Sequence, residues 1–200
     1  MRGLTSEWDG TSWTSIQATG AAPSGEAMAF DEARGVTVLW HGQTSTPETW
    51  EYTVFGGAPA TWSVFGQGCA GPVGTPNLAS VTGSLPRLGS TFQVRLGNLP
   101  ATPFNLPFGV VGFDATSWNS QPLPVSLDPF GFTGCQAWID PAIGVTLTNT
   151  LGIASWNIAV PLDLDLIGTD FFLQGCVLVP GWNSGGIVFS NAGHGVIGTP

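Results

Sequence analysis

The sequence predicts an all-β protein: a partial propeller-like blade packed with, or followed by, an antiparallel β-sandwich or jelly roll. Three observations lead there. Glycine (29 residues) and proline (16) together exceed one residue in five of the 200, with no Gly-X-Y period, a composition suited to many tight turns. Apolar runs are short and are broken every few residues by Gly, Pro, Asn or Ser. Where a period is visible it is two. Phe92, Val94 and Leu96 alternate with Gln93, Arg95 and Gly97, and Trp156, Ile158 and Val160 with Ser155, Asn157 and Ala159. One apolar face per segment marks a half-buried strand. No ten-residue stretch carries a convincing amphipathic helical period.

Charge narrows the function classes. Charged residues make up 8% of the chain, against roughly 25% in a typical soluble domain. There is no lysine, and the four cations are Arg2, Arg34, Arg87 and Arg95 against thirteen acids, a net charge of −9. Phosphate neutralisation needs clustered cations, so the expectation is no nucleic-acid partner. The same deficit argues against anionic lipid. No apolar run approaches the ~20 residues of a membrane-spanning helix, so no membrane insertion is expected. The surface expected is polar but uncharged. Met1–Thr5 lacks the apolar stretch of a signal peptide, yet the chain has an exported character. The expectation is therefore a secreted or cell-surface protein whose export segment is not within this chain.

From the N-terminus, residues 1–66 carry a weak internal echo. Glu7-Trp8-Asp9-Gly10-Thr11-Ser12-Trp13 is answered by Trp50-Glu51-Tyr52 and then Thr61-Trp62-Ser63, with 44 residues from Trp8 to Tyr52, within the range of propeller blades. Between the copies, Glu26–Asp31 and Gly35–Gly42 read as two strands joined by the turn Asp31–Gly35. Pro23-Ser24, Ala27-Met28-Ala29-Phe30-Asp31, Arg34-Gly35, Val38-Leu39 and Thr49-Trp50-Glu51-Tyr52 together resemble bacterial kelch-type repeats. His41-Gly42 stands where those repeats carry two glycines. The resemblance covers about one and a half blades, whereas a closed propeller needs at least ~4. Such a fragment is expected to lie against the second domain, to self-associate, or to be the end of a longer propeller. Trp8, Trp13, Trp50 and Trp62 are expected to pack blades.

Gln67-Gly68-Cys69-Ala70-Gly71-Pro72 reads as the junction to a second domain, 67–200. Strand-like segments then recur at 77–82, 90–97, 107–113, 122–127, 134–139, 144–148, 152–160, 169–179 and 185–190, a spacing expected of a sandwich. Trp138 and Trp156 read as its core. From about Gly66 to Gly198 the chain resembles an uncharacterised C-terminal domain of secreted planctomycete-type bacterial proteins. The likeness rests on Phe65–Gly71, Leu85–Ser90, Gly134-Cys135, Gly152–Trp156, Ile167-Gly168, Phe171–Gln174 and Ser190-Asn191. It implies location and fold, but no chemistry. Three cysteines permit one bridge and one leftover. The resemblance pairs Cys69 with Cys135. Cys176, inside the apolar strand, is expected to be a buried thiol.

No complete catalytic centre is legible. There is no Gly-x-Ser-x-Gly elbow and no zinc-ligand spacing. Of the two imidazoles, His41 ends a strand and His194 falls in Asn191–Gly195, which reads as a flexible segment. Two carboxylates suffice for glycoside hydrolysis. Glu7 and Asp9 share a strand face beside Trp8, and Glu48 and Glu51 flank Trp50 on opposite faces; a solvated strand edge is the simpler reading of each. Asp163 and Asp165 also share a face and, with Asp170, are the candidates for calcium, in a stretch that lacks the dense Asp/Asn/Gly loop of a calcium motif. No other cofactor is expected. The nine tryptophans are more suggestive. Trp118 and Trp182 fall in predicted loops rich in Asn, Asp and Ser, where an indole face can stack on a sugar ring; the simpler reading is that they cap the ends of the sandwich. The leading expectation is a non-catalytic binding or structural module, with polysaccharide or another extracellular protein as partner. The alternative is a secreted hydrolase of glycosidic or ester bonds, using Glu7, Asp9, Glu48 or His41 in a groove between the two parts.

Overall fold

A computed structural model describes residues 5–8, 11–16, 27–31, 36–41, 48–52, 58–101 and 105–199. The chain divides into two compact units, Met1–Gly56 and Gly57–Pro200. The boundary falls before the expected junction near residue 66, because Thr61–Phe65 pairs with a strand of the second unit.

In the first unit β1 (Thr5–Trp8) and β2 (Trp13–Ile16) form a hairpin with Trp8 opposite Trp13. Strands β3 (Ala27–Asp31), β4 (Val36–His41) and β5 (Glu48–Tyr52) form a three-stranded antiparallel meander. Met28 lies opposite Leu39, and Leu39 opposite Trp50. Met28, Phe30, Trp40 and Trp50 are all exposed on it. The expected turn Asp31–Gly35 falls largely outside the described residues.

The second unit begins with β6 (Thr61–Phe65), β7 (Asn77–Ser80), β8 (Thr91–Gly97) and β9 (Leu106–Gly112). Four two-residue strands follow: β10 (Ser117–Trp118), β11 (Gln121–Pro122), β12 (Val125–Ser126) and β13 (Gln136–Ala137). Then come β14 (Ile143–Thr146), β15 (Asn149–Thr150), β16 (Ile153–Ala159), β17 (Asp170–Leu178) and β18 (Ile187–Val196). The large sheets are antiparallel and open, ordered β14-β9-β17-β18-β6 and β15-β16-β8-β7. The described residues contain no α-helix, only single 3-10 turns at Asp128–Phe130 and Leu164–Leu166.

The core lies between these sheets. The alternation read from sequence sends Phe92, Val94 and Leu96 inward, each 0% exposed, beside Ala154 and Trp156. Leu173, Val177 and Val188 come from the other sheet. Phe92 meets Phe171 edge-on across the gap, with centroids 6.1 Å apart. Two inward glycines show how close the layers come. A Cβ on Gly109 would fall 2.5 Å from the Trp156 ring, and one on Gly175 2.5 Å from Leu96 Cδ1. Two packed antiparallel sheets fit the expected sandwich.

Three local expectations change. Asn191–Gly195 is not a loose segment; it lies within β18, with Ala192–Gly195 paired on both sides. Its glycines are strand residues with Trp62 over Gly193 and the Phe171 ring over Gly195, and a strand glycine marks such a close approach. Trp62 packs no blade. It sits on β6 against Phe92, centroids 5.0 Å apart, with its indole N–H buried and unpartnered. Trp138 is half-buried outside the inter-sheet core, lying across Gly66 and donating from Nε1 to the Gln67 carbonyl at 2.9 Å.

Candidate functional site

An apolar recess of the second unit is built against residues 113–142, a lobe between β9 and β14. Directly paired residues share a sheet face. Gln174 opposite Val110 and Cys176 opposite Phe189 therefore lie on the face turned away from Leu173 and Val177. The lobe covers that outer face. Its first hairpin, β10 to β11, turns through Asn119 and Ser120 at φ 48° and 64°, a left-handed pair that suits a two-residue hairpin.

Three aspartates pin the lobe. Asp140 Oδ1 accepts from the amides of Phe113 and Asp114, each at 2.8 Å. Asp114 accepts from the Thr116 amide and hydroxyl at 2.6 Å and from the Ser117 hydroxyl at 2.9 Å. These donors, the Thr116 hydroxyl foremost, hold its pKa down at about 2, since hydrogen bonds to the charged form favour it. Asp128 accepts from the Gly134 amide at 2.6 Å and the Ser126 hydroxyl at 2.8 Å, and its pKa is lowered likewise. Gln174, 3% exposed, clamps lobe to sheet. Its Oε1 accepts from the Trp138 amide at 3.0 Å, and its Nε2 donates to the carbonyls of Gln136 (2.9 Å) and Ser190 (3.0 Å). The expected disulfide is present: Cys69, whose amide bonds the Phe189 carbonyl, is joined to Cys135 of the lobe.

Between lobe and sheet remains a recess of about 300 Å³. Trp118, Phe130, Phe132 and Phe189 are its aromatic walls, with Val110, Leu127, Ala137, Ile139 and Pro141 completing them. Phe132 and Phe189 meet edge-on at 5.6 Å. Among the described lining residues the polar groups are the Trp118 indole N–H and the Gln174 amide, both ends of which are bonded.

Trp118 thus lines the recess while half-buried, held within a short hairpin. Trp182 stays 47% exposed, and its Nε1 donates to the Ala70 carbonyl at 2.8 Å. The loop beneath it is closed by Val179 and Gly186 and by Asn183, whose Oδ1 accepts from Gly186 at 2.5 Å. The two tryptophans do not line one recess. Ala70 lies two residues beyond Gly68 of a second groove, about 420 Å³, lined also by Gln67, Thr75, Asn77, Asn98 and Asn191.

The carboxylate candidates separate. Glu48 is exposed and accepts from Trp50 Nε1 at 3.1 Å. The backbones of Glu7 and His41 are placed opposite Thr14 and Glu48, but their side chains, and Asp9 altogether, lie outside the described residues. Asp163 and Asp165 do not share a strand face. Asp163 caps the 3-10 turn Leu164–Leu166 by accepting from the Asp165 amide at 3.1 Å, a role that favours Asp. Asp170 instead meets His194 Nε2 at 2.5 Å. Among the described residues, no three His, Cys, Asp or Glu groups stand close enough to hold a metal ion. Cys176 is buried as expected, and burial pushes its thiol up to about 12, out of nucleophilic range.

One constellation was not foreseen. His194 stacks on Phe172 at 4.8 Å, bonds Asp170, and lies opposite Ser63 on β6. Carboxylate, imidazole and hydroxyl thus stand in order across three strands, with Asp170 and Ser63 exposed. Reading His194 as part of a loop hid this. Only a paired strand places it.

Comparison with known proteins adds no relative: no protein-family model, curated protein or solved structure matches the chain. No helix among the described residues is long and apolar enough to cross a membrane. The disulfide is compatible with an oxidising, extracellular location.

Proposed function

We propose that this chain is an extracellular, non-catalytic binding module of a bacterial secreted protein, a β-sandwich preceded by a kelch-like blade, and that it recognises carbohydrate. The observation that carries the reading is Trp182. It is a large exposed aromatic on a loop already tied down by its own hydrogen bonds, so presenting the indole face costs little further ordering. Stacking on the apolar face of a sugar ring suits such a group. The neighbouring groove supports the same class of ligand. It carries no charge, and among the described residues the side-chain amides of Gln67 and Asn77 have no protein partner, leaving them for hydroxyls. The meander β3-β4-β5 supports the blade, and its exposed Met28, Phe30, Trp40 and Trp50 support self-association.

The test is retention on a panel of insoluble polysaccharides. Trp182→Ala is expected to abolish retention and Trp118→Ala to leave it. Absence of retention on every glycan overturns the carbohydrate reading. The second reading is a hydrolase of ester bonds, favoured by Asp170, His194 and Ser63 more than by Glu7, Asp9 or Glu48. It requires turnover that disappears in Ser63→Ala and in His194→Ala.

A further inference from the structure

We propose that the recess beneath the 113–142 lobe is a binding site for a small, uncharged, apolar molecule of aromatic-ring size. It does not rest on Trp182 or on the carbohydrate reading. The argument begins with what the walls offer. Trp118, Phe130, Phe132 and Phe189 present ring carbon, and the remaining lining is aliphatic apart from Gln174. Both N–H groups of the Gln174 amide are donated to carbonyls, and its oxygen already accepts from Trp138. A water molecule in a cavity needs two to four polar partners to be held there. Apart from the Trp118 indole N–H, the described lining side chains supply none that is free, so the recess favours carbon over water. A ligand bringing a hydroxyl or a charge would give up its hydration without replacement. That excludes sugars and ions from this site and selects a neutral hydrocarbon-like group.

Size sets the second limit. At about 300 Å³ the recess is roughly twice a ~150 Å³ apolar cavity of the kind that stays dry and takes benzene. One substituted ring fits. Access is the third point. Phe130 lines the recess yet remains 63% exposed, so its ring forms the lip between recess and solvent. The floor, by contrast, is fixed by the sheet and by the disulfide at Cys135. The site is therefore pre-formed on one side and open on the other, the usual build of a small-molecule pocket.

The experiment is an NMR titration of the full chain with p-xylene, with p-toluate as the same ring carrying a carboxylate. p-Xylene is expected to shift resonances of Trp118, Leu127 and Ala137 and to give cross-relaxation to them. p-Toluate is expected to bind at least about ten-fold more weakly, since its charge finds no partner. Ala137→Phe fills the recess and is expected to abolish the shifts. Phe130→Asp places a carboxylate at the exposed lip and is expected to weaken p-xylene about ten-fold or more while the rest of the spectrum stays native. The proposal is overturned by any of three results: no recess shifts at aqueous saturation of p-xylene, shifts spread over unrelated surface residues, or undiminished binding in a folded Phe130→Asp protein.

Discussion

Two glycines in the five-stranded sheet have opposite surroundings. Gly109 of β9 is buried under Trp156, whose ring would lie 2.5 Å from an added Cβ. Gly144 of the edge strand β14 has nothing within 4 Å of its Cβ position. Neither residue has a left-handed φ, so the difference between them is one of space alone. Gly109→Ala forces a rigid ring to move inside a packed core and is expected to cost about 1–3 kcal/mol. Gly144→Ala meets no atom and removes backbone entropy from the unfolded chain, so it is expected to be neutral or to stabilise by about 0.5 kcal/mol. Urea unfolding of the two variants checks the pair; equal losses would mean that the sheets are not packed at Gly109.

At the scale of elements, the disulfide and the aspartates divide the work of holding the lobe. Cys69 and Cys135 are 66 residues apart in sequence, a loop whose closure is worth about 4 kcal/mol in the chain-entropy description. Removing it with Cys69→Ser and Cys135→Ser together is expected to destabilise the second unit by about 2–4 kcal/mol and to raise amide exchange first at Gln136 and Ala137. Uniform loss of protection across β17 and β18 would argue against a lobe-specific role. The elements differ sharply in how readable they were. Strands such as β8 and β16 declare themselves because one face is apolar and the other polar at every second residue. β18 was legible only as far as Ser190, since beyond it small residues replace the apolar face and the aromatics that cover them come from β6 and β17. The recess was not legible at all. Its walls meet only when β9, β17 and β18 are paired and the lobe is folded over them, and the lobe is shaped by aspartate-to-amide bonds at Asp114, Asp128 and Asp140. The only local signal for those was an aspartate followed closely by Thr, Ser or Gly, as in Asp114-Ala115-Thr116-Ser117. Trp118 reads from its Asn, Asp and Ser neighbours as a sugar-stacking loop residue or, more simply, as a cap on the sandwich end; in space it lines the recess with Leu127, Phe130 and Phe132.

Charge acts on the whole molecule and sets two separate responses to acid. With thirteen acids, four arginines and no lysine, the chain loses its net charge near its isoelectric point of about 4.2. Mutual repulsion between molecules is then minimal. The lobe responds later. Asp114 and Asp128 have folded-state pKa values below the ordinary carboxylate value, so their contribution is complete above the unfolded-state value near 4. It is lost only as pH falls from there, for Asp114 down towards about 2. Turbidity at high concentration is therefore expected to peak near pH 4.2, with tryptophan fluorescence and near-ultraviolet dichroism of a dilute sample still native at that pH. Those optical signals are expected to change between about pH 4 and pH 2, as the turns around Thr116 and Gly134 lose their acceptors. Asp114→Asn keeps a side-chain acceptor but removes the charge, and is expected to shrink the acid-induced change without shifting the turbidity maximum by more than a few tenths of a pH unit. A lobe signal that moves between pH 7 and pH 5 would place the controlling group elsewhere than on these two carboxylates.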